Sequence, residues 1–467
     1  MGNAKKRSGS VASMLPVLLA CSFTASFGQS MMNVALPELA ERFGVTLSIA
    51  NWVIVGYMVV AATAIMLSAF MLRRLGLRRV FFVGAGALAL GSACALLSQD
   101  FPMLFASRLV QAVGTGLFFP SVTSVIMTNS PAAVRGTRLA LNSGVIAVGL
   151  AISPTASGFA LTQFGWRAMF VVSLAMSVAL LAVGFFRIHG GPSTKRVPID
   201  ALSVMLGPLG LAAFLYGLGE VTRDLAPSLA ALAVGAVLLA LFAWRQFALE
   251  SPLLDLHPLV HPRFAVGILL VMVGMLTSFS MSILLPLYYE GALGYTAFFA
   301  GLLLLGPVLV NAAFTFLGGR VFDRHGAWPL IPAGLVLVLV GQAAAFFSAE
   351  SMIAILIVLS SAAVYAGAGF VVAPSKTAAL GTLPPATYSA GASINSTAAQ
   401  IASAIGSSLF VGVLSADVLT AAGAAKASAY AAAFEHTLSI AVVIAAAGLL
   451  VAFFYARAMR KPAGKQR

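Results

Sequence analysis

Apolar stretches of about 18–25 residues follow one another along almost the whole chain, separated by short polar connections. Of its 467 residues 60% are apolar and only 9% are charged, and the mean hydropathy is +1.01. Soluble domains carry roughly a quarter of their residues as charges, because water must be met on every side. This chain lacks the polar residues for that, so lipid is the solvent for most of it. Lipid in turn demands that each segment satisfy its own backbone groups. The expectation is an all-α membrane protein.

Fourteen runs predict transmembrane helices, at 12–36, 50–72, 78–97, 102–127, 138–161, 167–187, 200–219, 227–247, 264–289, 296–318, 328–348, 352–375, 388–415 and 434–457. An even count puts both termini on one side. If that side is the cytoplasm, nearly every Lys and Arg outside the runs falls there, the exceptions being Arg42, Arg167, Arg223 and Lys426. This is a strong positive-inside bias, which a missed or extra span would scramble. Trp52, Trp166, Trp244 and Trp328 all fall at span ends, as interfacial anchors do.

Several function classes are disfavoured. The net charge of +14 comes from basic residues set singly or in short runs between apolar segments, which does not make a nucleic-acid surface. Cys21 and Cys94 both lie in apolar runs, and the five histidines lack ligand spacing, so neither a disulfide framework nor a metal is expected. No phosphate-binding loop is present, which speaks against direct ATP drive. No span carries converging His, Asp, Glu or Ser–His groups, so no enzyme and no cofactor are expected.

Short motifs recur at matching span ends: Asn33-Val34-Ala35-Leu36-Pro37, the basic loop Arg73 to Arg79, Arg108 with Gln111 and Gly114, Gly149 with Pro154 and Gly158, and Gly165-Trp166-Arg167. Later come Pro286-Leu287-Tyr288-Tyr289, Gly301 and Gly319-Arg320-Val321-Phe322-Asp323-Arg324-His325-Gly326. Arg74 and Gly76 in the first basic loop match Arg324 and Gly326 in the second, an Arg two residues before a Gly between apolar runs, so the halves are related. Together these pieces resemble the major facilitator superfamily, most closely its fourteen-span drug:proton antiporter branch.

The resemblance covers nearly the whole chain. It implies two six-helix bundles, at 12–187 and 263–457, joined by a 188–262 linker that carries two additional central transmembrane helices. Cytoplasmic tails at 1–11 and 458–467 flank them. It implies export of amphipathic small molecules across the cytoplasmic membrane by a monomer that takes protons inward, with membrane lipid as its surroundings. Arg74, Gly76, Gly149, Pro154, Gly158, Asp323, Arg324 and Gly326 become the motifs of conformational change.

Polar residues inside the spans are the candidate site. Ser22, Ser26, Gln29 and Asn33 fall on one predicted helix face, as do Arg108, Gln111 and Thr115, and Ser393, Thr397, Gln400, Ser403 and Ser407, with Asn395 beside the last set. Such faces either line a wet cavity or hydrogen-bond between helices. Gln29, Asn33, Gln111, Tyr289, Asn395 and Gln400 are taken as cavity candidates. Arg108 either snorkels to the outer surface or, as the resemblance implies, serves in proton coupling or gating.

Two positions depart from the branch's pattern. Gly28 stands where it usually carries an acid in the first span, and Arg73 stands where it usually carries Asp. Among the thirteen acids, Glu290 is the best replacement proton carrier, with an exposed helix-end carboxylate as the other reading. Without a central acid, the cavity is expected to favour neutral, monocationic or anionic amphiphiles over dications. An exporter of a native metabolite or lipid, and an uncoupled member of the fold, are the alternatives.

Overall fold

The computed structural model describes residues 2–130, 132–188, 200–328, 330–384, 387–421 and 425–459. Among them the regular structure is helical throughout. Thirteen helices are long and apolar enough to cross a membrane, and the first expected crossing falls on a shorter apolar helix, Met14–Ser30.

The chain divides into two compact units. The first comprises Met1–Gly217, Leu229–Leu253 and Thr296–Leu302; the second comprises Leu218–Ser228, Leu254–Tyr295 and Leu303–Arg467. The 188–262 stretch expected as a linker thus contributes most of its helices to the first unit.

The first unit opens with α1 (Gly2–Ser30), so residues 2–11 of the expected tail are helical and continuous with the first span. Then come α2 (Leu36–Phe43), α3 (Leu47–Ala50), α4 (Trp52–Leu75), α5 (Leu77–Leu96), α6 (Phe101–Asn129), α7 (Ala132–Phe164) and α8 (Arg167–Arg187), followed by α9 (Ala201–Glu220) and α10 (Leu225–Ala248). Its core joins Leu18, Cys21 and Ala25 of α1 to Phe81 and Leu88 of α5, Phe118 and Ile126 of α6 and Leu180 of α8. Lipid offers no hydrophobic drive between helices, so close packing of small residues does the work. A Cβ on Gly114 would stand 2.4 Å from the Gly84 carbonyl oxygen, and one on Gly116 would stand 2.4 Å from that of Ala61. Two bare positions thus let α6 lie flush against α5 on one side and α4 on the other.

One expected element is different. The first span was predicted to run through Asn33 to residue 36, but α1 ends at Ser30 and Met31–Ala35 form a fully buried turn. Pro37 favours a restart, since its ring fixes φ for a first helical turn and it has no N–H to offer the Asn33 carbonyl, although prolines inside α6 and α7 (Pro120, Pro154) are tolerated. The chain stops and restarts, with Pro37 in the first turn of α2. Helix α2 buries Leu36 and Leu39, and Gly44 in the left-handed region (φ 63°) ends it.

The α9–α10 hairpin is fastened at one end. Arg245 Nε and Nη2 donate to the two carboxylate oxygens of Asp200 at 2.6 and 2.8 Å, and the Ser203 hydroxyl donates to the same carboxylate. Gln246 donates to Ser203 Oγ at 2.7 Å and accepts from the Leu253 N–H at 2.9 Å. Arg245 holds the Asp200 carboxyl well below the usual carboxylate range, at about 2, with Ser203 helping.

The second unit holds α11 (Pro262–Gly291), α13 (Leu330–Ser348), α14 (Ala354–Leu380), α15 (Tyr388–Thr420), α16 (Lys426–Met459) and α12 (Ala297–His325) beyond its first residues. Its core gathers Leu270, Ile331, Leu335, Val371, Ala378, Ala452 and Tyr455. Gly334 and Gly367 repeat the bare-helix contact, a Cβ on Gly367 falling 2.4 Å from the Gly334 oxygen.

Candidate functional site

The relation between the halves is visible in the backbone. Gly76, between α4 and α5, has φ 77°, and Gly326, after α12, has φ 75°. Both sit directly after a helix end, Gly76 with α5 starting at the next residue, in a conformation that L side chains rarely adopt. Arg74 and Arg324 are exposed beside them. The side chain of Asp323 lies outside the described residues.

In the first unit the polar groups converge on Arg108. Asp100 caps α6, accepting from the Met103 N–H at 2.8 Å, and Arg108 stands two turns further along. It is wholly buried, so it does not snorkel to the surface. Its Nη1 and Nη2 each donate to the Gly28 carbonyl at 3.1 Å, and its Nε reaches the Val53 carbonyl at 3.3 Å. Nη1 also donates to Gln111 Oε1 at 2.6 Å. The guanidinium lies 4.1 Å from the centre of the Tyr57 ring. Gln111 passes the chain on to Ser92 Oγ at 2.7 Å, and Ser92 bonds Ser173 at 3.0 Å. Gln111 is therefore held in a bonded network on both ends.

The first-span stripe does not survive intact. Ser22 donates to Asn142 of α7 at 2.7 Å, and Gln29 is buried on α1. Asn33 lies in the turn after α1, not on its face, and its amide reaches Ser30 Oγ at 3.3 Å. The expected alignment with Gln29 assumed a helix that ran on past Ser30.

Helix α7 carries Gly149, Pro154 and Gly158 at close contacts. A Cβ on Gly149 would meet Ser26 Oγ at 2.1 Å; one on Gly158 would meet the Ala297 carbonyl oxygen at 2.3 Å. From the facing side, a Cβ on Gly301 would stand 2.4 Å from the Pro154 oxygen. Thr155 Oγ1 donates to the Gly301 carbonyl at 2.9 Å, the Phe298 N–H donates to Thr162 at 3.3 Å, and Phe159 meets Phe298 edge-on at 5.7 Å. The start of α12 is thus seated on α7 along two helical turns.

In the second unit, Tyr289 is wholly buried with its hydroxyl facing Ser361, and Tyr365 faces Ser282. Asn311 donates to the Tyr365 carbonyl at 2.8 Å. Glu290 is half-buried in the last turn of α11, next to Gly291, on which the Tyr430 ring rests. On α15, Ser393 and Ser403 bond back to their own helix. Asn395 Oδ1 and Thr397 Oγ1 are buried without a hydrogen-bond partner among the described residues, and Gln400 is buried near them on the same helix.

Sequence reasoning missed the Ser92 link, the Asp200–Arg245 clasp and the pairing of Asp417 with His436 Nδ1 at 2.7 Å. Only the clasp had a signal, opposite charges at facing ends of two successive apolar runs.

The sequence profile of the Major Facilitator Superfamily matches residues 18–407 and again 266–467. The chain belongs to the major facilitator superfamily. A lincomycin resistance protein of Bacillus subtilis, LmrB, is 32% identical over 95% of this chain and 95% of its own length. The riboflavin transporter RibZ of Clostridioides difficile is 24% identical over 93% and 95%. In fold, this superfamily member is similar to a bacterial homologue of the human lysosomal transporter Spinster, solved inward-facing and unoccupied, with a TM-score of 0.68, 16% identity and coverage of 97% and 99%. Resistance proteins are thus among its relatives, and the chain itself is a multi-pass membrane protein of this superfamily.

Proposed function

We propose that the protein exports amphipathic small molecules from the cytoplasm by proton antiport. It alternates between inward- and outward-open states as its two six-helix halves rock about a midplane cavity. It does so as a monomer of fourteen crossings in the cytoplasmic membrane, with both termini inside. The observation that carries the reading is kinship along 95% of the chain with a lincomycin resistance protein.

The local geometry supports it. The flush contact between α7 and the start of α12 is the kind of glycine-lined seam that opens and closes as a unit. Buried polar atoms such as Asn395 Oδ1 and Thr397 Oγ1 leave hydrogen-bonding capacity for the polar end of an amphiphile. Glu290 is the proton carrier in this account, Arg108 belongs to gating, and Gln29, Asn33, Gln111, Tyr289 and Gln400 shape the cavity. Export of a native metabolite is the second reading, favoured by the riboflavin transporter among the relatives.

The test is accumulation of a fluorescent monovalent lipophilic cation in cells expressing the protein, with and without an uncoupler. Low accumulation, restored by the uncoupler beyond the rise in control cells, is the expected result. Accumulation equal to control cells would move the reading to a native metabolite.

A further inference from the structure

A fully buried guanidinium in a membrane span normally needs an acid, because an uncompensated charge there costs at least about 3 kcal/mol. Among the described residues Arg108 makes no ion pair. Its compensation is visible elsewhere. Helix α1 ends at Ser30, and a helix end leaves its last four carbonyls without intrahelical partners. The Phe27 oxygen takes the Met31 N–H at 3.1 Å and the Ser153 hydroxyl at 2.7 Å. The Ser30 oxygen takes the Asn33 N–H at 3.2 Å. The Gly28 oxygen takes both terminal nitrogens of Arg108. The negative end of the α1 dipole therefore faces the cation, and the cation satisfies a carbonyl that lipid would leave bare.

We propose that Arg108 is a positioning residue: an intramembrane cap that ties the interrupted end of α1 to α4 and α6, not one half of a proton-exchanging pair. The groups facing it are the Gly28 carbonyl from α1, the Val53 carbonyl and Tyr57 ring from α4, and Gln111 on its own helix, which is tied in turn to Ser92 of α5. Of these only the Tyr57 phenol titrates, and it bonds Thr115. Arg108 thus keeps its charge through the cycle, and movement of α6 is passed to the buried turn Met31–Ala35.

The inference stands apart from the identity of the substrate, so its test reads the turn directly. Hydrogen exchange is followed by mass spectrometry over residues 27–36 of the full protein in nanodiscs, between pH 5.5 and 8.5. Arg108→Met is expected to speed exchange there by about tenfold or more, as loss of several charge-assisted bonds should. Arg108→Lys, which keeps one charge but not the planar fork, is expected to fall between Met and wild type. In a Glu290→Gln background, which removes the carboxyl proposed above as proton carrier, the profile should follow intrinsic exchange chemistry with no added titration step. Gly28→Asp serves if Arg108→Met does not fold, since a Cβ there meets only the Tyr57 hydroxyl at 3.6 Å. Its new carboxylate should pair with Arg108, stay ionised across this range because of that pairing, and slow exchange over residues 27–36 relative to wild type. A titration step that persists in the Glu290→Gln background, or exchange unchanged in Arg108→Met (or in Gly28→Asp where that variant stands in), would overturn the proposal.

Discussion

Gly158→Ala puts a single methyl into a seam of backbone against backbone in the first unit. The new Cβ would stand 2.3 Å from the Ala297 carbonyl oxygen, 2.7 Å from its carbon and 3.0 Å from the Phe298 Cα. All three are backbone atoms, so no side chain can rotate away, and the helices must part by about 1 Å to reach ordinary contact. Overpacking of this kind costs about 1–3 kcal/mol. Only the state in which α7 carries the start of α12 bears that cost, so the equilibrium shifts away from it by about 5- to 150-fold. The assay is labelling of Thr155→Cys by a membrane-impermeant maleimide from outside, in a background lacking Cys21 and Cys94. Thr155 bonds the Gly301 carbonyl and is shielded while the seam is closed. Faster labelling in Gly158→Ala, by a factor in that range, is the expected result. Gly301→Ala should do the same from the facing side, and Gly86→Ala, with nothing within 4 Å, should do nothing. Labelling unchanged in both seam variants would refute the idea that this contact distinguishes two states.

Asp200→Asn should loosen the α9–α10 hairpin and lower the melting temperature in detergent at pH 7. Because Arg245 depresses the Asp200 carboxyl to about 2 in the fold, against roughly 3.9 in an unfolded chain, its stabilisation is complete above pH 4 and fades as the pH falls toward 2. The gap between variant and wild type should therefore be flat from pH 8 to 4 and close only below. Thr397→Val removes a buried hydroxyl with no described partner; it should raise the melting temperature by about 2 °C while weakening binding of exported compounds, read by ligand-induced stabilisation. Glu290→Gln should abolish transport driven by a pH gradient but leave exchange at equal pH intact, which paired flux assays in liposomes separate.

Much of the architecture was legible because lipid imposes one rule on every span. The runs that became α4 to α16 were readable from hydropathy, and Gly76 and Gly326 marked the two matching loops by position alone. The end of α1 at Ser30 was not legible: Pro37 marks the first turn of α2, and the largely apolar run continues across the turn at Met31–Ala35 without a break. The partners of Arg108 were not legible at all. Two of them are backbone carbonyls, and a carbonyl carries no residue identity. The search for an acid at position 28 looked for a side chain where the fold uses the peptide group of Gly28. The polar stripe on α15 was correctly placed on one helix, yet periodicity could not separate Ser403, spent on its own helix, from Thr397, which is not.

The central claim is that an exported compound and a proton move in opposite directions through this protein. Everted membrane vesicles test it most directly, with respiration acidifying their interior and a pH-sensitive dye reporting the gradient. Adding a transported amphipathic compound should release protons from wild-type vesicles at a rate that saturates with its concentration, and Glu290→Gln vesicles should show no release. Substrate uptake with no proton release, or equal release from Glu290→Gln vesicles, would contradict the account.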